Sequence, residues 1–355
     1  MTTVGTGGTG LRNGETTASA AKWGKGGQGG RKGKIMMSPG IPDHDLRFQL
    51  HVAKHPYERS RLVMAVCWLA LLYAIALGAA VKAGAISVLV LLLVIVAVVA
   101  GHWLIMRFWN ARLLGRAVKV TPESFPDLHA EIVHLQRKLD YRRPIDVYVA
   151  DQVEGKITIT SLLGTRVLLI EGALAADLKA EGTEPLRFLL GNFIGYLKAR
   201  HGQLALFVII LDYMKWARFV DPWILPYRRA AEYTCDQIGY LCAADLDASL
   251  GVISRLTVGK EMAGSISPAG VLEQAFRVAR SRLSRCAEVF QAGPHMVNRY
   301  ANLLTYAAEV KPVEFEGYRA GLSDKGRQLL GALIMQSPHH QTATWSPGQP
   351  AAGRG

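Results

Sequence analysis

Between positions 184 and 299 a few side chains carry the donors that metal or acid–base chemistry needs: His201, Glu232, Cys235, Asp236, His295 and Arg299. A catalytic zinc centre takes three protein ligands plus a water, which then loses its proton to a nearby base. The spacing here does not supply that set. His201 closes the run EPLRFLLGNFIGYLKARH (184–201), which holds no other imidazole and no thiol. Read as one continuous helix, the run puts His201 ten residues past Gly191, about 15 Å of helical rise away. Glu232 offers one carboxylate, and Cys235, three positions on, shares a helical face with it. One remote histidine and a lone carboxylate do not complete a tetrahedron. No metal ligand set is therefore expected, with Glu232 the residual candidate and His201 the weaker one. Glu232 and Asp236 then read as polar contacts between packed helices, with Arg228 or Arg229 as partners.

Other reactive groups are equally unassembled. Cys67, Cys235, Cys242 and Cys286 show no C-x-x-C spacing, which argues against a disulfide or zinc-finger framework and for reduced thiols. His102, near the end of an apolar run, reads as a histidine at headgroup level, with a functional group inside the membrane as the alternative. His339 and His340 lie in a Pro/Gly-rich end with nothing beside them to complete a site.

The elements that position these groups begin with two uncharged runs. Leu62–Ala80 is nineteen residues without a charge and Gly84–Met106 adds twenty-three, lengths that match a bilayer core. A transmembrane hairpin at 60–107 is the reading, retained in the mature protein because a long polar stretch precedes it. Arg59 and Arg61 precede the hairpin, Arg107, Arg112, Arg116 and Lys119 follow it, and only Lys82 lies in the turn. The excess of positive flanks places both termini and the main domain in the cytoplasm, at the cell's inner membrane. The net charge of +13 follows the same division. Residues 1–119 hold 15 Lys and Arg against 4 acids, whereas 120–355 hold 26 against 24. A near-neutral domain gives no sign of nucleic-acid binding, so the partners expected are the lipid bilayer and an unidentified protein or peptide.

Residues 1–45 read as a disordered, basic, glycine-rich tail, either solvated linker or a strand of positive charge on anionic lipid, and 337–355 as a second disordered tail. Residues 115–336 form one domain. Helical spacing marks 125–139, 184–201, 228–244 and 271–290, and Val/Ile-rich runs mark strands at 145–151 and 165–174. The order predicts an α+β domain, mainly helical with a small β-sheet. For 204–227, where Asp212, Lys215 and Arg218 interrupt the apolar pattern, two readings stand. One is an amphipathic helix on the inner leaflet with Trp216 and Trp223 at headgroup depth; the other is a core helix.

Two spans, a PESFPDLH segment (122–129), VYVAD (147–151) and VLLIEGAL (167–174) resemble the membrane zinc endopeptidases of the HtpX and CAAX-protease type, metallopeptidase family 48. Glu184, Leu189 and His201 fall at the offsets of that family's helix E-L-R-x-x-L-x-H-E-x-x-H-x-x-x-x-x-H, with Leu186 and Arg187 each one position later than its L-R. RRAAEYTCD (228–236) is similar to its R-x-x-E-x-x-A-D element, with Glu232 and Asp236 in place. GPHMVNR (293–299) is similar to H-P-x-x-x-R, with His295 in place, Met296 for the proline and Arg299 one position earlier than the motif's arginine. The resemblance covers roughly residues 60–305 and implies a zincin-like fold, with zinc if the site were active.

The helix departs from the family where the chemistry lies. His-Glu-x-x-His sets two imidazoles at i and i+4 on one face and a glutamate base between them. Gly191, Asn192 and Gly195 stand there instead. Glycine has no donor atom and an amide does not titrate, so both ligands and the base are lost together. The expectation is a membrane-anchored, non-catalytic pseudopeptidase with no cofactor, working as a binding, scaffold or regulatory module. The alternative is an active zinc metalloendopeptidase with an atypical site. Two glycines inside a helix cost roughly 1 kcal/mol each against alanine, so close backbone packing in a narrowed cleft is expected at them.

Overall fold

A computed structural model describes residues 53–336 except 152, 154–156, 163–164, 205–220 and 292. The readings made above for 1–45, for 337–355 with His339 and His340, and for Asp212, Lys215, Trp216 and Arg218 fall outside the described residues.

Long apolar runs make most of the first two helices, α1 (Glu58–Lys82) and α2 (Ala85–Leu114), which reverse at Gly84 with φ 103°. Both are long and apolar enough to cross a membrane. Their sides are largely bare of protein: Ile86 is 79% exposed and Leu92 58%, and the only buried residues of α1 are Glu58, Ala65 and Leu69. A core helix of a water-soluble domain would be covered by its neighbours, and these are not.

The chain then enters a mainly helical domain with a four-stranded sheet, β1 (Ala117–Lys119), β2 (Ile145–Ala150), β3 (Ile157–Leu162) and β4 (Thr165–Glu171), in the order β1-β2-β4-β3. β2 and β4 run parallel, with Val147 opposite Leu168, and both edge strands are antiparallel to their neighbours. Strands were expected at 145–151 and 165–174, and the structure shortens the second because 172–174 open the next helix. The edges β1 and β3 were not expected. Three residues carry too little pattern for one, and the other, ITITSL, has only Ile157, Ile159 and Leu162 as apolar residues in a short polar surround.

Helix α3 (Pro126–Lys138) starts at a proline, whose missing N–H costs nothing there, and buries Leu128, Ile132 and Leu135 at helical spacing. After α4 (Gly172–Glu181) comes α5 (Thr183–Lys198), with Glu184 in its first turn and Lys198 in its last, both favourable to the helix dipole. Helix α6 (Asp221–Ala243) begins seven residues earlier than the 228–244 expected and continues through Pro226. Its first two turns lie along α1, where Ile224 and Tyr227 pack on Ala65 and Leu69 and Trp223 meets Trp68 at 4.7 Å between ring centroids. Over 221–227 Ile224, Leu225 and Tyr227 are buried. This stretch covers one side of the first apolar helix, with Trp223 still 41% exposed.

The helix expected over 271–290 is two, α8 (Pro268–Arg280) and α9 (Arg282–Val289), following α7 (Leu246–Val258) and the single turn Lys260–Ala263. Ser281 makes the break. Its backbone is extended, and its hydroxyl accepts the Ser284 N–H as the cap of α9. Helices α10 (Met296–Val310), α11 (Pro312–Ala320) and α12 (Asp324–Gln336) complete the domain. The core centres on α5 and α6, where Phe188, Leu189, Leu190 and Ile194 face Ile238, Tyr240 and Leu241.

Candidate functional site

Helix α5 buries Leu186, Leu189, Leu190 and Ile194, and the same folding drive turns Gly191 and Gly195, one helical turn apart, toward α6. The two helices meet there without a gap. A Cβ added at Gly191 would lie 2.5 Å from the Cys242 Cβ and 2.8 Å from its Sγ, and one at Gly195 would lie 2.8 Å from the Ile238 Cγ2. Gly239 on α6 returns the contact, since a Cβ there would sit 2.7 Å from the Phe188 carbonyl oxygen. Three glycines thus let two backbones approach inside van der Waals distance of any larger side chain.

Asn192 lies beside this seam and donates from Nδ2 to Asp236 Oδ1 at 2.8 Å. Asp236 is fully buried, and Arg299 grips it with two further bonds, Nε to Oδ2 at 2.8 Å and Nη2 to Oδ1 at 2.7 Å. The same guanidinium reaches Glu232 Oε1 through Nη1 at 2.9 Å. Asp236 offers it the paired oxygens that suit a planar fork. Arg299 is aimed by the start of α10, where the His295 carbonyl accepts the Asn298 and Arg299 N–H groups. Burial raises the Glu232 carboxyl above its ordinary range, partly offset by Arg299, and Asp236 adds to the rise. Arg299 is held firmly protonated by its two carboxylates, against the desolvation of its site. Asn192, Glu232, Asp236 and Arg299 are therefore brought together. The directly bonded partner of the two acids is Arg299, while Arg228 acts on Glu232 through its charge alone. Arg229 instead donates to the Glu288, Val289 and Gln291 carbonyls.

His201 is placed differently from the expectation of one helix over 184–201. Helix α5 ends at Lys198, Arg200 takes φ 60°, and His201 opens a short turn to Leu204. The reversal sends the imidazole, wholly buried, to the first turn of α1. Its Nε2 lies 3.1 Å from Glu58 Oε1 and its Nδ1 3.4 Å from Cys235 Sγ. Thr234 donates its hydroxyl to Glu58 Oε2 at 2.5 Å and accepts the His55 N–H at 3.0 Å. With Nε2–H donating to Glu58, Nδ1 is left to accept from the thiol.

Thiol, imidazole and carboxylate in that order are the parts of an activated cysteine nucleophile. The surroundings work against activation: burial pushes the Cys235 thiol well up, and Asp236, Glu232 and Glu58 add to the rise. Burial likewise pushes Cys242 up to about 12. At pH 8 a thiol of that pKa is about one part in ten thousand thiolate. Cys286, exposed and outside the two apolar helices, is therefore expected to alkylate in the detergent-purified folded protein, and Cys235 and Cys242 only after unfolding. Mass spectrometry of iodoacetamide-treated protein measures this, and modification of Cys235 at the rate of Cys286 would show its burial to be wrong.

The residues present do not fit the zinc that the sequence resemblance implies. Imidazoles at 191 and 195 would occupy the space of Cys242 and Ile238, and the Glu232 carboxylate already faces a guanidinium, a cation that a metal would have to displace. Among the described residues no three His, Cys, Asp or Glu side chains converge as a metal ion needs. His201 and Cys235 approach each other, but the other ring nitrogen of His201 is the one facing Glu58, so the three donors do not share a centre. Glu58, Thr234, Ile238 and Gly239 were not singled out from sequence, and Cys242 was read only as a reduced thiol. The one available signal was Gly239, a third glycine in a helical segment.

The class of protein to which the chain bears a measurable similarity is metallopeptidase family 48, and the relation is distant. A similar protein is the plastoglobule-localized metallopeptidase 48, chloroplastic, of Arabidopsis thaliana, 26% identical over 172 residues, which is 46% of this chain and 49% of the relative. The chain thus matches about half the length of that relative. No family profile and no solved structure matches the chain.

Proposed function

We propose that this is a membrane-anchored pseudopeptidase: a zincin-like domain, held at the bilayer by α1 and α2, that binds a protein or peptide partner as a scaffold or regulator without cutting it. The observation that carries the reading is the closed seam between α5 and α6. Where the family's mechanism sets two imidazoles and a carboxylate base, two glycines are packed against Cys242 and Ile238 and an asparagine is engaged by Asp236. Without metal ligands or a base, the route by which a zinc-bound water attacks a peptide carbonyl has no starting point. Bare apolar sides on both first helices support the anchor, and the flanking arginines support a cytoplasmic domain at the inner membrane. The distant metallopeptidase relative supports ancestry in a peptidase family.

The test is zinc content and hydrolysis measured on one detergent-purified sample. Zinc well below one per chain, and cleavage of an unfolded substrate no different between the native chain and Glu232→Ala, is the expected result. Stoichiometric zinc with hydrolysis abolished by Glu232→Ala would overturn the reading in favour of an active endopeptidase with an atypical site.

A further inference from the structure

Helix α9 and the residue after it carry a bare apolar stripe. Leu283 is 83% exposed and Phe290 68%, with Cys286 and Ala287 exposed between them at helical spacing. Arg280 and Arg282, both exposed, stand at its start. The single acid between 280 and 290 is Glu288, and it turns inward, where Asn298 Nδ2 donates to both its oxygens at 3.0 and 3.1 Å. The outer face is thus apolar and basic with no exposed carboxylate.

The position of this stripe relative to the anchor is fixed by one chain of contacts. Arg229 donates to three carbonyls at the end of α9, at 2.6 to 3.3 Å, capping its negative end with a cation. Arg229 stands one turn along α6 from Pro226, whose carbonyl accepts from Arg61 Nη1 at 3.3 Å. Further along, Thr234 bonds Glu58. Helix α6 therefore runs antiparallel to α1, with Trp223 at the level of Trp68 and Thr234 at the level of Glu58. Arg229, and the end of α9 that it holds, falls at the level of Arg61 and Glu58, where the polar segment of α1 gives way to its uncharged run. That is headgroup depth.

We propose that the outer face of α9 and Phe290 lies in the membrane surface, with Leu283, Cys286 and Phe290 entering the boundary between headgroups and acyl chains and Arg280 and Arg282 meeting anionic lipid. The inference rests on the reading that α1 crosses the bilayer. A stripe of this kind is the signature of helices that lie in the interface plane, where apolar burial and attraction to anionic headgroups act together. The lipid contact would give the domain a second point of attachment beside the hairpin and so fix its tilt on the membrane.

The test reconstitutes the full chain in vesicles of mixed zwitterionic and anionic lipid. A fluorophore is attached to Cys286 in a Cys67→Ser variant, or to Cys67 in a Cys286→Ser variant. Lipids brominated along their acyl chains should quench both labels, with the Cys286 label quenched best by shallow bromines and shielded from aqueous iodide. The double variant Leu283→Glu, Phe290→Glu, two exposed positions whose change leaves the core intact, should restore iodide access and abolish the lipid quenching at Cys286. If Cys67 is quenched by lipid while Cys286 remains open to iodide, the inference is overturned and the anchor stands. If Cys67 also escapes quenching, the membrane reading itself fails. Efficient crosslinking of Cys286 to Cys286 in the vesicles would replace lipid with a second copy of the chain and equally overturn the proposal.

Discussion

Gly239→Ala is expected to destabilise the domain by about 1–3 kcal/mol, the range for forcing extra atoms into a packed core, even after the helix-propensity gain of alanine is subtracted. The new methyl would stand 2.7 Å from the Phe188 carbonyl oxygen, and that atom belongs to a helical backbone that cannot rotate away. Helices α5 and α6 would have to separate along their seam. Gly251 and Gly331 supply the control. Both lie inside helices with nothing within 4 Å of an added Cβ, so alanine at either should raise stability by about 0.4–1 kcal/mol. Thermal unfolding in detergent measures all three, and at roughly 2–4 °C per kcal/mol for a domain of this size the opposite signs are resolvable. A melting temperature for Gly239→Ala equal to that of Gly251→Ala would show that the seam is looser than described.

The second large effect concerns recovery of the family motif. Gly191→His, Asn192→Glu and Gly195→His combined restore the residues of His-Glu-x-x-His, yet the triple variant is expected to gain neither stoichiometric zinc nor hydrolysis and to lose stability. Each imidazole begins with a Cβ inside 3 Å of Cys242 or Ile238, and overpacking of this degree costs about 1–3 kcal/mol per site. The glutamate would exchange the donor that serves Asp236 Oδ1 for a third carboxylate beside Asp236 and Glu232. Zinc analysis, a cleavage assay and a melting curve on one preparation decide the matter. Tight zinc with full activity would mean that the cleft opens readily and that the closed seam does not by itself prevent catalysis.

The apolar hairpin was legible in the sequence because nineteen and twenty-three uncharged residues admit little else. The helices α3 and α5 were legible because their apolar positions recur at helical spacing. Narrowing at Gly191 and Gly195 followed from chemistry, since a glycine inside a helix needs a reason and close approach is the common one. What covers them did not follow: Ile238, Gly239 and Cys242 lie more than forty positions away, and nothing in their types announces a partner. His201 was misplaced because periodicity carried the helix past its end, where Arg200 reverses the chain with a positive φ that an arginine does not advertise. Arg299 came into view through the resemblance alone, and its simultaneous hold on Glu232 and Asp236 is a tertiary fact.

The buried links from Glu58 to His201 and Thr234 have a practical meaning for anyone preparing this domain without its anchor. A soluble fragment cut between the second apolar helix and β1 would strip the carboxylate from a wholly buried imidazole and a buried hydroxyl, leaving polar groups whose unmet hydrogen bonds cost about 1–3 kcal/mol each. It would also uncover Ile224 and Tyr227. The first turn of α1 is thus part of the folded domain as well as the beginning of an apolar helix, and the folding unit starts before that apolar run.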